Sequence, residues 1–139
     1  MIDVATLTEQ HNAIREAMAE VSQTIDRGNV ASHAMALHTL LNEIAGKVQE
    51  HLRVEDQDLY PLLVQDSDVK VKKIATQFRD NMGGLAEELS GYIERYSRDG
   101  DIVKDISVFS YETRGIFERL RHRMRREEED LYPLLASGV

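Results

Sequence analysis

The sequence predicts an all-α fold: residues 1–139 form one domain, an up-down-up-down antiparallel four-helix bundle. Three observations predict it. Apolar residues recur at steps of four and three along four long stretches, the period of one helix face. Only two prolines and eight glycines punctuate the chain, and aromatics make up 6% of it. No stretch alternates apolar and polar residues as a half-buried strand would.

The first helix is expected from about Leu7 to Arg27, with Thr6 or Thr8 as its cap and Gly28 as its stop. Its apolar stripe is Leu7, Ile14, Met18, Val21 and Ile25, and His11 lies on the same stripe. The second helix begins near Ser32 and ends near Pro61 or just beyond. Its stripe runs Leu37, Leu41, Ile44, Val48, His51, Glu55, Leu59, so two polar residues continue an apolar seam without a change of register. The third helix follows the QDSD turn, with Ser67 or Asp68 as cap, and ends at SRDGD. It carries Val71, Ile74, Phe78, Met82, Leu85, Leu89, Tyr92 and Tyr96. Gly83-Gly84 in its middle costs roughly 1 kcal/mol per residue in helix propensity, so a close helix contact or a kink is expected there. The fourth helix starts at about Asp101 or Asp105. Its seam is Phe109, Thr113, Ile116, Leu120, Arg123, Glu127, Leu131.

Composition excludes several classes. The formal charge is −8, which repels phosphates and argues against nucleic-acid binding. A basic run, Arg121 to Arg126, is followed at once by acidic Glu127 to Asp130 and reads as a solvated helix face. Without cysteine there are no disulfides, thiolate ligands or thiol nucleophiles. MIDVATLTEQH has neither the basic nor the apolar region of a signal peptide, and no apolar run approaches the roughly 20 residues of a membrane span. The expectation is a soluble cytoplasmic protein with no membrane partner. No glycine-rich phosphate loop and no nucleophile–base pair is present, so a binding protein is expected rather than an enzyme.

One segment is written twice. HLRVEDQDLYPLL, residues 51–63, returns as HRMRREEEDLYPLL, residues 122–135. Aligned on Tyr60 and Tyr132, Glu55 falls on Glu127, but His51 falls on Arg123, and His122 stands one place early. Buried histidine and glutamate are costly unless paired, hydrogen-bonded or bound to a cation. Antiparallel packing brings His11, near the start of the first helix, to His51, near the end of the second. The fourth helix ends at that same pole, so Glu55 and Glu127 can face each other. His51 and Glu55 lie about 40° apart on one helix face, a common way to offer an imidazole and a carboxylate to one metal ion. The two LYPLL segments can plug the bundle end, and Tyr60 or Tyr132 can hydrogen-bond a ligand carboxylate. His33 and His38 lie near the opposite pole and read as ordinary, partly exposed residues.

With His11 in EQH, His51-x-x-x-Glu55 followed by LYP, and the second acidic EEEDLYP ending, the whole chain resembles the hemerythrin-like, or HHE cation-binding, family. The resemblance implies a carboxylate-bridged di-iron centre that binds O2 or senses oxygen and nitrosative chemistry. It implies His11 and His51 as terminal ligands and Glu55 and Glu127 as bridges. The second half departs from the family pattern. Its third helix has Gln77, Phe78, Asn81 and Met82 where histidine is expected, and its seam position is Arg123. Hemerythrins use a five-residue step from histidine to acid on their last helix. His122 and Glu127 have that step, which keeps His122 among the candidate ligands.

The expectation is therefore a metal-binding protein, with one or two iron ions or another divalent metal, held by His11, His51, Glu55 and Glu127, with His122 as a further candidate. Its role would be oxygen, redox or metal sensing, or stress handling, with O2 or NO as ligand and a protein partner open. The alternative is a metal-free bundle acting as a regulatory or interaction module, its core charge neutralised by Arg123 through bidentate bonds to Glu55 or Glu127. A di-iron oxidase or NO-processing enzyme is the third reading.

Overall fold

The computed structural model describes residues 3–98 and 100–137. Four long helices carry the architecture: α1 (Val4–Asp26), α2 (Ala34–Val54), α4 (Val69–Arg95) and α6 (Ile106–Arg126). Three short ones, α3 (Tyr60–Leu63), α5 (Asp101–Lys104) and α7 (Pro133–Ser137), extend or connect them. Among the described residues there is no strand. Helix α1 packs on α2 and α6, and α4 packs on the same two, so each long helix touches its two neighbours around a square.

Local chemistry sets the helix ends. Helix α1 begins earlier than Thr6 or Thr8 would have it: Asp3 is the cap, and its carboxylate accepts from the Thr6 amide at 3.1 Å. At the other end Gly28 adopts φ 71°, which only glycine takes without strain. The Gly28 and Asn29 amides bond back to the carbonyls of Ile25 and Thr24, closing the last turn. Asp68 caps α4, and Asp105 caps α6 after the single turn of α5.

The expected close contact at the glycine pair is not present at Gly84. A Cβ there would meet nothing within 4 Å, and α4 runs as continuous α-helix from Val69 to Arg95.

Each copy of the repeated segment contains a π turn, Glu55–Leu59 and Glu127–Leu131. Here the amides of Tyr60 and Tyr132 bond to the carbonyls five residues back, on Glu55 and Glu127. The cause lies in the next residue of each copy. Pro61 and Pro133 lack an amide hydrogen, and their rings would clash with the carbonyl four residues back in an α-turn. Widening the turn by one residue removes the clash and lets the helical path continue through each proline.

The buried side chains fall into two apolar clusters. The larger contains Ile14, Met18, Leu41, Ile44, Val48, Phe109, Phe117, Leu120 and Met124. The smaller fills the pole where the LYPLL segments lie: Leu7, Leu59, Tyr60, Leu63, Phe78, Leu131 and Tyr132. Between them in helix register lie His11, His51, Glu55 and Glu127, all buried.

Candidate metal centre

Four elements deliver the polar layer. His11 comes from α1 between Leu7 and Ile14. His51 closes α2, and Glu55 and Glu127 open the two π turns. The two imidazoles face each other with Nε2 atoms 3.0 Å apart. Glu127 Oε1 lies 2.9 Å from His11 Nε2 and 3.6 Å from His51 Nε2. Glu55 Oε2 lies 3.2 Å from His51 Nε2. Ligand atoms that share one ion at about 2.0–2.2 Å are about 3.0–3.5 Å apart along the edges of a tetrahedron or octahedron. The donor atoms of His11, His51 and Glu127 have about that spacing, and Glu55 has it to His51.

The outer nitrogens decide what the inner ones offer. His11 Nδ1 is 2.6 Å from Glu128 Oε2, a carboxylate that can only accept, so Nδ1 carries the hydrogen. His51 Nδ1 donates to Gln10 Oε1 at 2.7 Å. Both Nε2 atoms therefore point into the centre, and each presents a lone pair once its inward proton is given up, the tautomer that metal-bound histidines adopt. Glu128 is itself held by Arg15 at 2.8 Å.

The two buried carboxylates set the protonation of the layer. Burial opposes protonation of His51, but hydrogen bonds and charge from Glu127 and Glu55 outweigh it and raise its pKa to about 9. Burial and the Glu127 charge push the Glu55 carboxyl up, against the pull of His51. Glu127 goes the other way: burial is overcome by hydrogen bonds from His11 and His51 and by the charge of Arg123, so its carboxyl stays ionised. Glu55 Oε1 is fully buried and has no hydrogen-bond partner. An unpartnered buried carboxylate oxygen beside two inward-pointing imidazole nitrogens is a donor set that fits a cation.

Tyr132 completes the layer. Its hydroxyl donates to Glu55 Oε2 at 2.9 Å and lies 3.1 and 3.2 Å from the Nε2 atoms of His11 and His51. The π turn brings it there, since a residue five places after Glu127 returns to the same face only where the turn is widened. Burial pushes the Tyr132 phenol well above its usual range, so it stays a hydrogen-bond donor. Both LYP tyrosines also plug the bundle end, as their place in the smaller apolar cluster shows.

A profile described as the Hemerythrin HHE cation binding domain matches residues 3–135. The chain belongs to the hemerythrin HHE cation-binding family. Comparisons with curated proteins and with solved structures gave no match.

Within this hemerythrin fold the two halves of the site differ. His11, His51 and Glu127 form a group whose ligand atoms lie within 4.8 Å of one another. On the opposite side Arg123 turns inward, with 12% of its side chain exposed. Its Nη2 donates to the Tyr60 hydroxyl at 2.9 Å and to the Phe78 carbonyl at 2.7 Å, and its Nε lies 3.4 Å from Glu127 Oε2. The guanidinium also covers the Phe78 ring, 4.8 Å from its centre. Helix α4 offers Val71, Ala75, Phe78 and Met82 to the core and no metal ligand, while Gln77 and Asn81 are exposed. The residues fit one cation on the α1/α2 side. On the α4/α6 side a guanidinium holds the place, and they do not fit a second.

His122 is exposed and is not brought into the cluster; it lines a cleft between α4 and α6. His33 and His38 lie far along the bundle, bonded to the carbonyls of Asn29 and Ser97. Sequence reasoning missed Gln10 and Glu128. Gln10 is the neighbour of a candidate ligand, and Glu128 is the middle of an acidic run whose average member is solvated. Only the three-dimensional path of the π turn distinguishes it.

Proposed function

We propose that the chain binds one non-haem iron ion and serves in oxygen, redox or metal sensing or in a related stress response. The observation that carries this reading is the meeting of the two Nε2 atoms at 3.0 Å, with each Nδ1 committed to an outer acceptor. His11 and His51 would be the nitrogen ligands, Glu127 the first carboxylate and Glu55 the second. Glu128 and Gln10 orient the imidazoles, Tyr132 fixes Glu55, and Arg123 balances the charge of Glu127. A bound iron would supply a one-electron redox couple and an affinity for diatomic ligands such as O2 or NO. The protein's part is to hold the ligand set in an apolar shell, with imidazoles that would release their inward protons on binding the ion. His122 lies outside this ligand set.

The test is metal analysis and electronic spectroscopy of protein expressed aerobically with iron. One iron per chain, lost in His51→Ala, is the expected result. No bound metal, together with an unchanged melting temperature on adding iron or zinc, would refute it. Two irons with an oxo-bridge absorption band would refute the single-ion form.

A second reading is favoured by the contacts of Arg123, which neutralise Glu127 without any metal. In it the bundle is a regulatory or interaction module, and metal-free protein would have the same stability with or without added divalent ions.

A further inference from the structure

The Tyr132 hydroxyl has more close neighbours than its one hydrogen can serve. The side chain is buried, and its oxygen lies 2.9 Å from Glu55 Oε2, 3.1 Å from His11 Nε2, 3.2 Å from His51 Nε2 and 3.4 Å from Glu127 Oε1. A phenol has one hydrogen to give, and Glu55 takes it. The remaining three neighbours form a figure with it. His11 Nε2, His51 Nε2, Glu127 Oε1 and Tyr132 Oη are the corners of a nearly regular tetrahedron, with edges from 2.9 to 3.6 Å. The centre of such a tetrahedron lies about 2.0 Å from every corner, the length of a bond from nitrogen or oxygen to a metal ion.

Packing holds the fourth corner in place. The Tyr132 ring is stacked on His11, with centroids 5.4 Å apart, and belongs to the apolar cluster at the bundle end. Tyr60, its counterpart in the first copy of the repeat, is placed differently, since its hydroxyl accepts from Arg123 Nη2 at 2.9 Å. Charge then decides when the Tyr132 phenol ionises. A divalent ion is matched by the carboxylates of Glu55 and Glu127. A trivalent ion exceeds them by one charge, and Arg123 beside Glu127 adds to the excess. An uncompensated buried charge is costly. Tyr132 is the acid already in contact with the donor atoms, and a cation bound directly to such a group displaces its proton. Tyrosine oxygen is an established ligand of iron in proteins.

Resting on the single-ion reading, we propose that Tyr132 is a direct ligand of the ion, bound as a phenolate when the ion is trivalent. On binding, the O–H bond of Tyr132 breaks, a metal–Oη bond forms and the proton leaves to solvent. The oxidation state of the ion does not change in this step. With a divalent ion the phenol keeps its proton and its hydrogen bond to Glu55. The centre therefore holds ferric iron more tightly than ferrous iron, which suits redox sensing better than reversible carriage of O2.

The experiment titrates the full chain, stripped of metal, with gallium(III) nitrilotriacetate and with zinc(II), neither of which changes oxidation state. Gallium should produce the near-ultraviolet difference band of one ionised tyrosine out of the five in the chain, and zinc should not. The band should persist in Tyr60→Phe and vanish in Tyr132→Phe. Tyr132→Phe should weaken gallium by more than the roughly 100-fold that losing the outer partner of a ligand costs, and zinc by less. Ferric iron should give a visible phenolate charge-transfer band with the same dependence on Tyr132. Gallium bound without the band in the unaltered chain would overturn the proposal and leave the single-ion site standing. So would a band that zinc produces equally, a band that survives Tyr132→Phe, equal weakening of the two metals, or failure of gallium to bind where zinc does. If neither metal binds, the single-ion site falls with the proposal.

Discussion

Replacing Glu128 by glutamine separates a metal ligand's support from an ordinary surface ion pair. Glu128 is partly exposed and touches two groups, His11 Nδ1 at 2.6 Å and Arg15 at 2.8 Å. Burial is the largest single influence and favours its neutral form, but Arg15 and His11 together outweigh it and hold the carboxyl below its usual range. As an exposed pair it contributes about 0–1 kcal/mol to stability. For a bundle of this size that is a melting shift of at most about 4 °C. As the outer partner of a metal-bound histidine its loss costs about 10- to 100-fold in metal affinity, or about 1.4–2.7 kcal/mol. Glu128→Gln keeps the shape and an acceptor oxygen, so it should fall near tenfold, and Glu128→Ala nearer a hundredfold. The assay is competitive titration of zinc and ferrous iron against a chelator of known affinity, beside thermal melts in EDTA. A metal affinity unchanged within twofold, with a lowered melting temperature in EDTA, would refute the reasoning and reduce Glu128 to a helix-end salt bridge.

Three other outcomes follow from the same geometry. Arg123→Met leaves Tyr60, the Phe78 carbonyl and one face of Glu127 without their donor, so it should destabilise the metal-free protein by about 3 kcal/mol in urea unfolding. Tyr132→Phe strips the buried Glu55 of the hydroxyl that donates to its Oε2 and should cost about 1–3 kcal/mol in EDTA, part of it recovered when metal is added. The glycines give a backbone control by thermal melting. Gly84→Ala, in open space within a helix, should stabilise by about 0.5–1 kcal/mol, whereas Gly28→Ala at φ 71° should destabilise by about 1 kcal/mol or more.

The bundle was legible in the sequence because its signal is periodic. Leu37, Leu41, Ile44 and Val48 recur on one face, and His51 and Glu55 keep their place in that series, so their burial could be read along with their neighbours'. The start of α1 was misjudged, since Asp3 and Thr6 are both good caps and only the backbone path chooses between them. Gly83-Gly84 suggested packing, but propensity penalties also occur in open space, as at Gly84. The placement of Arg123 was open, because a seam arginine can turn inward only if the opposite helix supplies acceptors. Here those are a tyrosine hydroxyl and a backbone carbonyl, neither of which sequence marks. The π turns left no periodic trace, although the repeated proline was their cause. They determine where Tyr132 and Glu128 point, and so the outer half of the site could not be read in advance.

Arg123 brings one further consequence. A centre whose positive charges all arrive from solution must acquire them before its carboxylates can be buried, which couples loading to folding. Here one of those charges is covalently attached to α6 and travels with the chain. Glu127 is compensated from the moment the helices associate, so the bundle can close while empty and exchange its ion without coming apart. Filling and emptying then become a reversible cycle on a standing scaffold.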